Sequence, residues 1–190
     1  MSAADSAHDG APDLLGPLRA WRVWSVEDTP EGWRLSSIHH RQIWEPETET
    51  EAWCYRSSGL ALANHVTHDR HLAPVAGCQC GIYGADDVSA AGEYLVRQHA
   101  SYESMYVAAR YRHRVVGQIE LWGRTLECAR GYRATYGYPT RLWIPTQRPD
   151  GRPVDVAGIA LDLVDYGVPV SLVDGGTRDE ILKSVVAEAA

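Results

Sequence analysis

The chain has 190 residues, of which 45 % are hydrophobic, and its formal net charge is −7 at pH 7. This length is typical of one domain, and this apolar content is sufficient for a core that needs no cross-links. No run approaches the roughly 18–20 apolar residues that span a bilayer. The negative charge argues against nucleic acid as a partner, because phosphates are neutralised by a basic face. The acidic opening stretch has no secretory pattern, which predicts a cytoplasmic protein.

The first part of the chain predicts a tail followed by a hairpin. Residues 1–17 are rich in Ala, Asp, Gly and Pro, a composition typical of a disordered tail. Two alternating segments follow, near 20–26 and 33–38, and the turn residues Thr29–Gly32 separate them. The domain is therefore expected to occupy residues 18–190 and to begin with two antiparallel strands.

The middle of the chain predicts further strands and one helix. Asp86 or Asp87 is placed to cap a helix near 86–99. The clearest strand follows it at 114–123, where apolar and polar residues alternate. Shorter strands are expected near 105–109 and 141–144.

The last part of the chain predicts a helix, a strand and a second helix over 153–190, packed on the same domain. Gly167 suits the end of the first helix, since glycine accepts the left-handed conformation there. Thr177 and Glu180 form the spacing of a capping box at the start of the last helix. The whole pattern predicts an α+β fold, in which helices cover a twisted and mostly antiparallel sheet.

The strongest chemical signal is the Cys-x-Cys sequence at Cys78 and Cys80. Four cysteines in a cytoplasmic chain are expected to be reduced, which leaves metal binding, a reactive thiol or inert burial. Gly77 and Gly81 flank the motif and permit a tight turn, so that both thiolates can reach one ion. Two further ligands are needed, and the candidates are Cys54, His71 and Cys128.

Three motifs carry a resemblance to a known group of proteins. They are HLAPVAGCQCGIYG at 71–84, LWG at 121–123 and GYRA at 131–134. Over residues 18–145 the chain resembles an uncharacterised family of small actinobacterial proteins with H-x-A-P-x-x-x-C-x-C-G-I-Y-[AG], then L-W-G, then E-H-x-x-G-[YW]-R-A. The family has no established activity, so the resemblance implies no mechanism.

One departure from the family pattern bears on the metal. The family has His after Glu, whereas this chain has Cys128 after Glu127. The resemblance therefore implies that Cys128 is a ligand, since Cys in place of His preserves zinc binding and little else. In the same way, Cys54 matches an A-x-C sequence of the family.

These observations predict one structural zinc per chain. Cys78, Cys80 and Cys128 are the expected ligands, and either Cys54 or His71 supplies the fourth. A closed tetrahedron of this kind would clamp the irregular segment 53–81 to the sheet. The zinc deaminase and H-E-x-x-H protease signatures are both absent, which argues against catalysis. The predicted function is that of a zinc-stabilised binding or regulatory protein, whose partner is a protein or a small anionic ligand.

The aromatic and arginine content supports a rival hypothesis. The chain has seven tryptophans, ten tyrosines and no phenylalanine, so most of these rings are expected in the core. Trp122, Arg124 and Arg133 would nevertheless suit an anionic ligand in a concave site. The alternative function is an enzyme, or a binder of a nucleotide or ADP-ribose-type ligand, that uses this arginine-rich aromatic cleft.

Overall fold

The computed structural model describes residues 16–39, 42–54, 71–96, 112–148 and 154–189. Almost all of the predicted tail, and the predicted strand at 105–109, lie outside these ranges. Within them the chain forms eight strands: β1 (Leu18–Thr29), β2 (Gly32–Ser36), β3 (Ile43–Trp44), β4 (Thr50–Glu51), β5 (Ile82–Ala85), β6 (Arg114–Cys128), β7 (Gly131–Pro145) and β8 (Val170–Val173). The three helices are α1 (Val88–Val96), α2 (Val156–Leu163) and α3 (Arg178–Ala189), and a 3-10 turn follows α2 at Val164–Tyr166.

All eight strands belong to one mixed sheet. Its order is β3-β2-β1-β5-β7-β4, while β6 pairs with both β1 and β7, and β8 pairs with β7. Only the β7–β8 pair is parallel among the described strands. The α+β prediction, with a mostly antiparallel sheet and covering helices, is confirmed. β1, β6, β7 and β5 pair in a closed circuit, and Ala20, Ile119 and Ala134 of these strands are buried in one apolar cluster.

The long hairpin of β6 and β7 is the centre of the sheet. Each strand has 15 residues, and the hairpin closes where Cys128 pairs with Gly131. The sequence predicted only the last part of β7, because Gly and Pro interrupt its first two thirds. The sheet tolerates Pro139 because it pairs with Ile119 beside a register shift, where regular ladder bonding is already interrupted.

The residues that the sequence predicts at the turn of the first hairpin, at the start of α1 and after α2 have the expected conformations and hydrogen bonds. Thr29 pairs with Gly32 in the β1–β2 hairpin, and Gly32 has a φ of 106°. The Asp87 carboxylate accepts a hydrogen bond from the Ala90 amide at 2.8 Å, which caps α1. Gly167 is left-handed, with a φ of 67°.

The predicted capping box also forms at α3. The Glu180 carboxylate accepts from the Thr177 amide at 3.1 Å, and the Thr177 hydroxyl accepts from the Glu180 amide at 3.4 Å. These reciprocal bonds satisfy backbone donors that the first helical turn leaves without intrahelical partners.

Apolar side chains pack on both sides of the sheet. One cluster includes the fully buried Trp24 and Trp44 and the residues of α2 that cover them. The other includes Trp143 and is covered by α1 and α3 through residues such as Leu95 and Ile181. Within the described ranges, no helix is long and apolar enough to cross a membrane.

Candidate metal centre

Two chain segments that lead to candidate ligands are held by the same residue of β7. Just before Cys54, the Ala52 amide donates to the Thr135 carbonyl at 2.7 Å. Just after His71, the Ala73 carbonyl accepts from the Thr135 hydroxyl at 2.8 Å. Thr135 is buried, so both bonds are shielded from competing water. This one residue therefore brings Cys54 and His71 to the same end of the sheet.

The Cys-x-Cys motif lies on a tight turn that leads into β5. The Cys78 amide donates to the Val75 carbonyl at 3.2 Å, and Gly77 and Gly81 have φ values of 79° and 123°. The positive φ at Gly81 favours glycine, and a side chain there would also lie close to Arg133, with 3.0 Å between the two Cβ atoms. The predicted turn is confirmed.

Four ligand atoms converge at this turn, from Cys54, His71, Cys78 and Cys80. All lie within 4.8 Å of one another. The sulfurs of Cys54 and Cys78 are 3.7 Å apart, and Nε2 of His71 is 3.2 Å from the sulfur of Cys80. Cys80 is buried and the other three are half-buried, which shields the cluster without closing it off. These four side chains are close enough to hold a metal ion.

The thiols of the turn differ sharply in acidity. Burial opposes ionisation of Cys78, but hydrogen bonds from the Cys80 amide, and then from the Cys80, Cys54 and His71 side chains, lower its pKa to about 6. Burial, reinforced by the neighbouring Cys78, raises the pKa of Cys80 to about 11. Without a metal, the cluster therefore favours a thiolate at Cys78 that accepts hydrogen bonds from its neighbours. A bound dication would replace the remaining thiol protons, since thiolates are the ligand form.

Arg133 supports the turn from β7. Its guanidinium donates to the carbonyls of Cys78 and Cys80, the latter at 3.1 Å. It also lies over the ring of Tyr83, with 5.7 Å between the guanidinium carbon and the ring centroid. Tyr83 and Arg133 pair across β5 and β7, which places both side chains on the same face. Tyr83 in turn donates to the Gln79 carbonyl at 2.7 Å. All three carbonyls of the turn thereby accept hydrogen bonds from these two side chains.

Cys128 lies outside the group of four ligand atoms. Its sulfur accepts a hydrogen bond from Nε of Arg133 at 3.4 Å, at the end of β6. Cys128 was predicted as a ligand, with Cys54 and His71 as alternatives for the fourth position. The structure instead brings both Cys54 and His71 to Cys78 and Cys80. The reason is the register of the sheet, which pairs Cys128 with Gly131, the first residue of β7, beyond the residues that anchor the ligand segments.

The three residues predicted for an anionic ligand have separate surroundings. Trp122 stacks on Tyr136, with ring centroids 6.2 Å apart. Arg124 is exposed, and its carbonyl accepts from the Thr135 hydroxyl at 3.4 Å. Arg133 is directed at the cysteine turn. These supporting roles of Arg133 and Thr135 could not be predicted, because nothing local in the sequence couples Arg133 to Cys78 or Thr135 to Ala73, which are 55 and 62 positions away.

Comparisons of the chain with protein-family models, curated proteins and solved structures find no significant match. The resemblance to the actinobacterial family therefore stays a prediction, and any function must be argued from the site itself.

Proposed function

We propose that the protein is a zinc-stabilised binding or regulatory protein, in which one structural zinc per chain joins the segment at Cys54 to the segment 71–80. The observation that carries the proposal is the convergence of four ligand atoms within 4.8 Å. Zinc–sulfur bonds of about 2.3 Å in a tetrahedron imply sulfur–sulfur edges of about 3.8 Å. The separation of 3.7 Å between the sulfurs of Cys54 and Cys78 agrees with that value.

The ligand types favour zinc over the hard divalent cations of the cell. Three thiolates and one imidazole form a soft set, whereas magnesium, calcium and manganese prefer carboxylate and carbonyl oxygens. The group contains no carboxylate. Three thiolates around a dication leave one net negative charge, and the Arg133 guanidinium behind the turn is placed to offset it.

A structural role for the metal follows from the number of ligands. Four protein ligands complete the tetrahedron, whereas catalytic zinc keeps an open position for water or substrate. The ligands also come from two segments that are separated in the sequence, one at Cys54 and the other at 71–80. A metal that joins such segments contributes directly to folding, because no preformed site exists in the unfolded chain.

A partner surface beside the metal is part of the proposal. Trp53 is 63 % exposed and Leu72 is 78 % exposed, and each is the immediate neighbour of a ligand. Large apolar side chains exposed together mark interaction sites more often than isolated ones do. The position of both would depend on the metal, which would couple partner binding to metal loading. The rival enzyme is less favoured, because Arg133 is already engaged by the carbonyls of the cysteine turn.

Metal content and X-ray absorption test the metal part of the proposal. Purified protein is expected to contain about one equivalent of zinc, with a coordination shell of three sulfurs and one nitrogen. A shell of four sulfurs would instead bring Cys128 into the site in place of His71. Folded protein free of metal, with a melting temperature unaffected by chelator, would refute the structural zinc.

A paired capture experiment tests the partner surface. The proteins captured by zinc-loaded wild type are compared with those captured by Trp53→Ala and by Leu161→Ala. Leu161 is the control because it is similarly exposed, at 73 %, on α2. A specific partner should be lost with Trp53→Ala and retained with Leu161→Ala. Equal retention by both variants would exclude the surface beside the metal.

A further inference from the structure

Among the described residues, a gap in strand pairing leaves part of one edge of β1 without a neighbouring strand. On that edge Trp21 pairs with Ala85 of β5, and Ser25 pairs with Ser36 of β2. Within the described ranges, residues 22–24 lie between these two partners and pair only with β6 on the opposite edge. The sheet therefore has an opening between β5 and β2, and the side chain of Arg22 lies in it.

The Arg22 guanidinium bridges the two sides of the opening. One terminal nitrogen donates to the Tyr83 carbonyl on β5, and the other donates to the Ser37 hydroxyl, which follows β2, at 3.3 Å. The guanidinium carbon lies 5.0 Å from the ring centroid of Trp44 and 5.7 Å from that of Trp24. These contacts fix the cation in one orientation against two buried rings.

This cation has no carboxylate partner among the described residues. Arg112 and Arg130, in contrast, form ion pairs with Glu27 and Glu93 at 2.9 and 2.8 Å. Burial lowers the pKa of Arg22 to about 10, against a smaller opposing effect of Tyr94. The group still carries its charge at neutral pH. A shielded charge without a counterion is costly, and contacts with aromatic rings offset only part of that cost.

Two hydrogen-bond donors at the opening lack an acceptor within the described part of the chain. Nε of Arg22 is shielded from solvent and has no partner. The Ser37 hydroxyl accepts from Arg22 and also from the Trp44 indole at 2.9 Å, so both of its lone pairs are used and its own proton is left to donate. Ser37 is only 9 % exposed. A cation and two unsatisfied donors in one partly buried place favour an acceptor that carries negative charge.

We propose that this opening binds a small oxyanion group, a carboxylate or a phosphate, which accepts from Nε of Arg22 and from the Ser37 hydroxyl. Arginine offers parallel N–H groups that match both oxyanions, and such charge-assisted bonds are stronger than neutral ones. The proposal uses none of the metal ligands, so it goes beyond the proposed function and stands or falls independently of the zinc.

A resonance of Arg22 itself provides the direct test. The purified full-length protein is titrated with inorganic phosphate, and separately with acetate, while sodium chloride keeps the ionic strength constant. The Nε–H resonance of Arg22, assigned by its absence from Arg22→Lys, should move saturably with at least one of the two anions. At ten times the dissociation constant, the same anion should raise the melting temperature by roughly 3–6 °C. The more effective anion identifies the oxyanion class.

Matched variants separate a site from a general salt effect. Arg22→Lys should abolish the thermal shift, because an ammonium lacks the planar pair of donors. Ser37→Ala should weaken binding about tenfold, the effect of one hydrogen bond to a charged group. Arg19→Lys is the control, since its side chain is 82 % exposed on the same strand and pairs with Glu120. No saturable movement with either anion would mean that only water occupies the opening, and would overturn the proposal. Equal thermal shifts in Arg22→Lys and Arg19→Lys would overturn it as well.

Discussion

The two ends of β7 are stabilised by different means. At its first end, Arg133 and Thr135 act as polar anchors, with hydrogen bonds to the carbonyls of Cys78, Cys80 and Ala73. At its last end, three consecutive residues, Leu142, Trp143 and Ile144, have no exposed surface at all. The last end also pairs with β8 and is covered on both faces by helices.

This contrast indicates why the proposed metal would stabilise one end of β7 and not the other. Apolar burial contributes about 25 cal/mol for each Å² removed from water, and the last end of β7 is rich in it. In the segments that carry the candidate ligands the buried apolar side chains are small, such as Ala52 and Ala73, whereas the larger side chains of Trp53 and Leu72 are exposed. Four coordinate bonds at the first end would add to this limited packing.

Loss of one ligand is expected to have the largest effect. In zinc-loaded protein, Cys80→Ser should lower the free energy of unfolding by about 4 kcal/mol, because it opens the tetrahedron and leaves the remaining ligands poorly compensated. Chelator should cause the same loss in wild type and add little in the variant. Denaturant titration with and without chelator measures both values.

Cys128→Ser is the matched control for that experiment, since Cys128 lies outside the group of four ligand atoms. It should cost less than about 1 kcal/mol, as an ordinary substitution does. Equal losses for Cys80→Ser and Cys128→Ser would instead place Cys128 in the metal site.

A cavity at the other end of β7 should lower the free energy of unfolding slightly less than the loss of a ligand does. This loss should not depend on the metal. Ile144→Ala is expected to lower the free energy of unfolding by about 3 kcal/mol, from lost burial and the cavity left behind. Leu172→Ala, at a position that is 50 % exposed and pairs with Ile144, should cost much less. If chelator changes the cost of Ile144→Ala, the two ends are coupled and the contrast between them fails.

Acid should weaken the apolar end through His113. Burial lowers the pKa of this side chain to about 4, and Arg148 adds to the shift, whereas the unfolded value is 6.5. The unfolded chain therefore takes up a proton below pH 6.5 that the folded chain takes up only near pH 4. Stability is complete above pH 6.5 and falls as the pH drops towards 4, by about 2 kcal/mol and at most about 3.

The comparison of His113→Phe with wild type isolates this effect, because acid also protonates the metal ligands in both proteins. The difference in their free energies of unfolding should change with pH between 6.5 and 4. A difference that stays constant over this range would show that His113 does not titrate as its burial implies.

Removal of the support behind the turn is expected to have the smallest of these effects. Arg133→Lys keeps the charge but loses the fork that reaches two carbonyls, so zinc affinity should fall about tenfold, or about 1.4 kcal/mol. Competition with a zinc-binding dye measures it. Arg124→Lys, on an exposed side chain of the neighbouring strand, should leave the affinity unchanged. An equal loss in both variants would indicate a general electrostatic effect.

Local signals made several features predictable. The turn at Gly77 and Gly81, the capping box at Thr177 and Glu180 and the end of a helix at Gly167 each depend on residues a few positions apart. The α+β class followed from the order of such elements. The first part of β7 was missed because propensity disfavours its Gly and Pro residues, whereas pairing with three other strands overrides that preference.

The sequence by itself determined that two cysteines lie on one tight turn, since backbone conformation at Gly77 and Gly81 is a local property. Only the tertiary structure decided which residues join them. Cys54 is 24 positions from Cys78, and it arrives there because β4 and β5 both pair with the first half of β7. Strand register also sets Cys128 apart and leaves Arg22 in an opening of the sheet. Register depends on the simultaneous pairing of distant strands, which no short stretch of sequence specifies alone.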